Sequence, residues 1–297
     1  MRRKYFYLIN QLIFLSCWFG VFGYLNAQST DLFRAEYLRI PENNTGINTS
    51  RYRILLNVPL KINKKDFLVL GGEYNQFDID FRRTFPFDKD NVEKLHIVDF
   101  NLGYITKWNE DWRLVGIVTP RIASNLTHGI SMDDIFFNAT ASFWKEGDKA
   151  EKPYRIVLGL SFNSTTGLPF PLPLVSYYRR FHPNWSFTLG IPKSNFKYHP
   201  SERHTFQLAL SLDGYFINVQ DDIALPDGGV GSKISLSALV ANVGYQYNFN
   251  TNMSLYGLFG RSLFLDSTLR DDNRNDVFLL NNEANLFLRV GFRVSVF

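Results

Sequence analysis

The stretch that decides the fold is RYRILLNVPLK, residues 51–61, in which apolar and polar side chains alternate. Its even positions are all apolar: Tyr52, Ile54, Leu56, Val58 and Leu60. Its odd positions include three strongly polar residues: Arg51, Arg53 and Asn57. Because successive side chains of a strand point to opposite faces, this pattern predicts a strand with one apolar face and one polar face.

The same alternation recurs along the chain, at residues 98–104, 154–162, 185–191, 206–213 and 286–296. Segments of about ten alternating residues are typical of membrane strands, which turn one face to lipid and one to the lumen. Residues 32–40 decide whether the chain has 12 or 13 candidate strands. Since bacterial single-chain barrels favour an even number, we predict an all-β, antiparallel transmembrane barrel of about 12 strands.

Two segments fit the alternation poorly. Residues 192–200 could form a strand, a loop or a plug. In residues 233–249 the apolar positions change parity, because Ile234 and Leu236 are even-numbered whereas Leu239, Val243 and Tyr245 are odd-numbered. A β-bulge near Ser237 would explain that change.

The N-terminus has the pattern of a secretory signal peptide. Arg2, Arg3 and Lys4 precede an apolar stretch, and Ala27 offers a small residue for cleavage. We therefore predict a signal peptide over residues 1–27 and one barrel domain over residues 28–297. An uncleaved membrane anchor and a lipoprotein lipidated at Cys17 are the alternatives.

Cleavage would simplify the chemistry of the mature chain. It would lower the formal net charge from +4 to about +1, which leaves no basic excess for nucleic acid. It would also remove Cys17, the single cysteine, and with it any disulfide or cysteine metal site. Aromatic residues make up 16% of the chain, as expected for a wall flanked by aromatic girdles.

The chain ends in an alternating strand, residues 286–297, with Phe297 as the last residue. This ending resembles the C-terminal signal of outer-membrane barrels, which implies recognition by the barrel-assembly machinery. Ser295 and Arg293 depart from that pattern, because they hold positions where it has apolar residues. The chain also resembles an uncharacterised barrel family of the Bacteroidetes, through Asn26-Ala27-Gln28 and through the block from Gly167-Leu168-Pro169 to Pro192. The resemblance implies an outer-membrane location and no particular activity.

The sequence contains none of the common catalytic motifs, so we predict no catalytic residue, cofactor or metal site. The nearest approach to catalytic chemistry is His128 with Asp133 and Asp134, a set that could activate water at the barrel rim. His182, His199 and His204 have a spacing that matches no zinc-ligand pattern.

Charged residues that fall on the polar faces of the strands are the candidate pore-lining residues: Arg51, Arg53, Asp99, Arg155, Asp213, Arg289 and Arg293. If the first and last strands meet, four of these arginines would form one basic wall, and a basic wall favours anions. Alternatively, arginine–carboxylate pairs simply fill the interior.

Four hypotheses follow for the function. The first is a passive outer-membrane channel or transporter-like pore with a mildly basic lumen. The others are a closed barrel that binds partners through its loops, a rim hydrolase acting on lipid or peptide, and a secreted β-sandwich outside any membrane. Outer-membrane lipid is the expected partner, and the transported solute is open.

Overall fold

The computed structural model describes residues 31–147, 151–163 and 171–295. Within these ranges the chain forms a single 15-stranded antiparallel sheet, joined by one additional parallel contact. The strands are β1 (Asp31–Ile40), β2 (Ile47–Lys61), β3 (Asp66–Phe81), β4 (Lys94–Lys107), β5 (Trp112–Ser124), β6 (Ile135–Gly147), β7 (Tyr154–Phe162), β8 (Leu172–His182), β9 (Trp185–Ile191), β10 (Lys193–Tyr198), β11 (His204–Ala224), β12 (Val230–Asn248), β13 (Met253–Arg270), β14 (Asp276–Asn281) and β15 (Leu286–Ser295).

Fourteen of these described strands close into a barrel. Strands β1 to β13 pair in chain order, β13 also pairs with β15, and β15 pairs with β1 to complete the ring. Among the described residues, strand β14 pairs only with the end of β13. The prediction of about 12 strands was therefore low, because both ambiguous segments, residues 32–40 and 192–200, contribute wall strands.

The outer face of the barrel is apolar, as the alternation predicts. Ile54 on β2 is 53% exposed and Leu208 on β11 is 59% exposed, although both are aliphatic. Aromatic pairs lie at both borders of this belt, with Trp185 beside Tyr198 at one border and Tyr37 beside Tyr52 at the other. An apolar belt between aromatic girdles is the surface that a barrel presents to lipid.

The two ends of the barrel differ. We call the end with the short connections the turn end; its connections are residues 62–65, 108–111, 183–184, 199–203 and 249–252. The opposite, loop end carries residues 41–46, 82–93, 125–134, 225–229 and 271–285. Helix α1 (Asp90–Glu93) and a 3-10 turn (Met132–Asp134) lie in the loop-end connections. No helix among the described residues combines the length and the apolar character that a membrane crossing requires.

The wall is tall on one side and short on the other. β11 has 21 residues, whereas β9 and β10 have only 7 and 6. Above these short strands β11 reaches across to β5, where Asn218 pairs in parallel with Ser124. The tall strands therefore enclose a narrower space at the loop end than at the turn end.

An apolar core fills that narrower space. Ile217 on β11 and Ile234 on β12 are register partners within it and lie side by side, and both are fully buried. A cavity of about 20 Å³ lies among these core residues, roughly the volume that one water molecule needs. The other central members come from strands around the barrel: Leu38, Phe77, Ile79, Leu95, Leu236 and Leu269.

This core corrects the prediction of a bulge near Ser237. The pairing of β11 with β12 continues without a shift past Ser237, and the shift in this region lies in β13 at Leu263. Strand β12 changes apolar parity because its upper part turns Ile234 and Leu236 into the core, while its lower part turns Val243 to the outside.

Candidate functional site

The barrel lumen brings together the charged residues predicted on the polar strand faces. Arg51, Arg53, Asp99 and Asp213 line one cavity of about 470 Å³. Arg155 and Arg293 line a second cavity, of about 310 Å³, towards the turn end. The seventh residue, Arg289, reaches Asp213 from β15. The predicted neighbourhood of the first and last strands is also present, since β1 lies between β2 and β15.

Directly below the apolar core, arginines and carboxylates pair in a balanced layer, which we call the paired layer. Asp213 accepts hydrogen bonds from Arg51 at 3.2 Å and from Arg289 on the other side. Arg53 bridges Glu36 at 3.2 Å and Glu73 at 2.7 Å. Most of the charge predicted for a basic wall is therefore offset within the wall itself.

Two further arginines complete the paired layer. Arg121 donates two hydrogen bonds to Asp99, at 2.6 and 2.7 Å, in the bidentate geometry that gives strong charge-assisted pairs. Arg34 pairs with Asp31 and approaches Glu36 at 3.8 Å. Five arginines and five carboxylates thus share this layer, and it adds no net charge to the lumen.

The net positive charge lies nearer the turn end. We call the cavity of about 310 Å³ there the vestibule. Four cationic side chains line it: Arg155, Arg180, Lys197 and Arg293. None of its described lining residues is acidic. A cavity of this composition attracts anions and repels cations.

The partners of these cations explain why the charge persists. Arg155 pairs with Glu146 at 2.5 Å, but Glu146 also pairs with Arg113 at 3.4 Å, so one carboxylate is shared by two arginines. Arg293 has neutral partners, because it donates to Ser254 at 3.0 Å and to Gln246 at 2.8 Å. Within the described ranges, Lys197 forms neither a hydrogen bond nor an ion pair.

The rim residues do not assemble into a catalytic set. The Asp134 carboxylate accepts hydrogen bonds from Asn218 and Gln220, both at 2.7 Å, and ties β11 to the loop of residues 125–134. Burial opposes ionisation of Asp134, but its hydrogen bonds hold its pKa below the usual range. His128 pairs with Asp221, and Asp133 is exposed. In the described residues no hydrogen bond joins His128 to Asp133 or Asp134.

The sequence of this barrel matches one family model over residues 41–295, which is most of the chain and nearly the whole wall. The chain belongs to the family described as Domain of unknown function (DUF6268). The match confirms the predicted membership of an uncharacterised family with a barrel fold. No curated protein shows significant similarity to the chain.

Several solved structures are similar to this DUF6268 chain. The COG4313 outer membrane channel from Pseudomonas putida F1 has a TM-score of 0.44 at 10% identity, over 93% of this chain and 98% of that one. The NanC porin has a TM-score of 0.36 at 9% identity, over 88% and 98% of the two chains. The KdgM porin in complex with disordered oligogalacturonate has a TM-score of 0.36 at 10% identity, over 89% and 99%. Likeness at this level concerns the fold alone.

Other expectations concern residues outside the described part of this DUF6268 chain. The predicted signal peptide, residues 1–27, lies there, as do the Gly167-Leu168-Pro169 block and the terminal Phe297.

The three histidines from 182 to 204 have separate partners: His182 accepts a hydrogen bond from the Asn184 backbone N–H, His199 bonds Ser186 and Thr205, and His204 bonds Tyr245. No group of three or more potential metal ligands occurs among the described residues.

Sequence reasoning missed Lys197 and Arg180 as vestibule residues in this member of the DUF6268 family. Lys197 lies in residues 192–200, for which the alternation did not predict a definite structure. In the structure it is an inward residue of β10, opposite Ser186. The available signal was the alternation of Lys193, Asn195 and Lys197 with Ser194, Phe196 and Tyr198. This alternation covers only six residues, too few to predict a membrane strand from the sequence.

A pH-dependent contribution to stability is expected from His199, at the turn end. Burial and the neighbouring cations Lys197 and Arg180 lower the His199 pKa from 6.5 to about 4. Between these values the unfolded chain binds a proton that the folded chain does not, so folding stability falls as pH drops from 6.5 towards 4. We expect the His199→Gln protein to lose less stability over this range, as measured by the urea midpoint at pH 7.5 and 4.5. An unchanged pH dependence would contradict the assignment.

Proposed function

We propose that the protein is a channel of the bacterial outer membrane that favours anionic solutes and rests with its loop end closed. The single observation that carries this proposal is the vestibule, where cations line an aqueous cavity inside a lipid-compatible barrel and the described lining contains no acid. The anion preference originates near the turn end, and the paired layer contributes little to it.

The apolar outer belt and the closed ring of strands support the membrane location. A sheet in lipid must close, because an open edge would leave backbone groups without partners. Barrels of this type place short turns in the periplasm and long loops outside the cell. The vestibule would then open to the periplasm. Recognition of the last strand by the barrel-assembly machinery stays a prediction.

Reversal of two charges in the vestibule should abolish the anion preference. We expect the Lys197→Glu/Arg293→Glu protein to conduct anions and cations about equally, because two of the four positive charges in a cavity of about 310 Å³ become negative. The reversal potential in a planar bilayer under a KCl gradient measures the preference. Because the loop end is closed at rest, the measurement is made both in the wild-type background and in a background with an opened core, Ile217→Ser/Ile234→Ser.

The matched control for that experiment is Lys145→Glu. Lys145 faces outward at the same end of the barrel and pairs with Asp111 at 3.0 Å, so its reversal should leave selectivity as in the parent. A folded opened-core protein that conducts nothing, or that favours cations without any change in the vestibule, would overturn the proposed function.

A closed barrel that acts through its loops is the second candidate. The observation that favours it is the apolar core, which fills the loop end with buried side chains from the wall. This candidate would be supported if neither the wild-type protein nor the opened-core protein conducts ions. A heat-dependent gel shift, which is typical of a folded barrel, would have to show that both proteins are folded. A rim hydrolase has less support, because Asp134 is occupied by structural hydrogen bonds and His128 pairs elsewhere.

A further inference from the structure

The vestibule has features of a binding site as well as of a selectivity filter. Its volume, about 310 Å³, lies at the lower end of the range typical of small-molecule sites. Such a volume accommodates a solute of the size of a monosaccharide. The apolar core fills the lumen at the loop end, so a solute that enters from the turn end meets the vestibule first.

Two cations are available to a solute. The neutral side chains of Ser254 and Gln246 hold Arg293 in place, and the arginine keeps its full charge. Lys197 is half-buried and is held by no hydrogen bond or ion pair within the described residues. Removing a charged group from water without a counter-charge is unfavourable, and an incoming anion would relieve that cost.

Uncharged hydrogen-bonding groups surround these cations. Hydroxyl and amide side chains make up most of the rest of the lining, among them Thr188, Asn195, Gln246, Asn252 and Ser254. Amide and hydroxyl groups both donate and accept, which suits the hydroxyl groups of a solute. Apolar residues are scarce in the described lining, where Met253 is the exception.

We propose that the vestibule binds a small hydroxylated organic anion, whose acidic group pairs with Arg293 and Lys197 and whose hydroxyls bond the amide and hydroxyl lining. The inference rests on the proposed function for the route by which the solute reaches the site. It goes beyond that function, because a channel with a general anion preference needs no site of defined composition.

The test is isothermal titration of the folded, detergent-solubilised protein with gluconate, with glucose and inorganic phosphate as comparison probes. Gluconate has both an acidic group and hydroxyls, whereas each comparison probe lacks one of the two. We expect saturable binding of gluconate, and binding of glucose and phosphate at least about tenfold weaker. Equal affinity for phosphate would overturn the hydroxylated part of the proposal, and equal affinity for glucose would overturn the anionic part.

Variants of the two cations locate the site. Arg293→Gln and Lys197→Gln should each weaken gluconate binding by about tenfold, since each removes one charge-assisted interaction. The conservative variants Arg293→Lys and Lys197→Arg should retain most of the affinity. Lys145→Gln, on the outer face, is the matched control. The heat-dependent gel shift verifies that each variant is folded, and undiminished binding in both glutamine variants would overturn the assignment.

Failure of the site and failure of the channel give different results. An anion-selective conductance without saturable gluconate binding would overturn the site and leave the proposed function intact. Saturable binding that depends on Arg293 and Lys197, in a folded protein that conducts in neither background, would establish the site and overturn the channel.

Discussion

The Ile217→Ser/Ile234→Ser protein is expected to open at the loop end and to conduct far more than the wild type, by about tenfold or more if the apolar core is the main barrier. These two side chains lie side by side on the paired strands β11 and β12 and are fully buried in the core. An apolar constriction excludes water and therefore ions, and hydroxyl groups in the same place would admit both. Single-channel recording in planar bilayers gives the conductance directly.

The substitutions will also weaken the fold. Truncation of a buried isoleucine costs roughly 2–5 kcal/mol, so conductance is to be measured below the unfolding temperature of the variant. The control is Ile54→Ser/Leu56→Ser, which makes the same kind of change on the exposed outer face of β2. That control should leave conductance unchanged. Wild-type conductance in a folded core variant would mean that the core is not the barrier.

The Asp213→Asn protein is expected to lose roughly 3–5 kcal/mol of folding stability. Asp213 is the shared partner of Arg51 and Arg289, and all three side chains are less than 20% exposed. The asparagine keeps the shape but removes the charge, which leaves two mostly buried arginines without compensation. Urea titration of the micelle-bound protein measures the loss as a shift of the unfolding midpoint.

The matched control for this substitution is Asp266→Asn. Asp266 is 30% exposed and its contact with Arg270 is long, at 4.0 Å, so we expect a change of about 0–1 kcal/mol. Adding Arg289→Gln to Asp213→Asn should restore part of the lost stability, because one uncompensated charge is then removed. Equal effects of Asp213→Asn and Asp266→Asn would show that the shared pair is unimportant.

The alternation of residues predicted the lipid-facing surface well. Segments such as residues 51–61 and 206–213 have one face towards lipid over most of their length. Because successive side chains of a strand point to opposite faces, apolar residues there recur at every second position. The same alternation predicted that Arg51, Asp213 and Arg289 point inward. It could not predict that they meet, because β2, β11 and β15 are brought together only by closure of the barrel.

The apolar core was harder to predict from the sequence. On β12, Ile234 and Leu236 are inward and Val243 is outward, so both faces contain apolar residues in different parts of one strand. Read along the chain, this exchange resembles a bulge. The strand number was underestimated for a related reason, since β10 has only six residues, fewer than the segment that a membrane strand usually needs.

Closure of the barrel also orders the steps by which its interior can form. Asp213 lies on β11, and its two arginines come from β2 and β15, near opposite ends of the chain. β15 is joined to β11 through β13 and β12, whereas β2 is joined to β15 through β1, along the seam from Arg39–Leu288 to Asp31–Ser295. Before that seam forms Asp213 lacks Arg51, and the interior charge is unbalanced. Completion of the paired layer is therefore a late event in assembly, and an intermediate with an unsealed seam differs from the finished barrel in electrostatics as well as in shape.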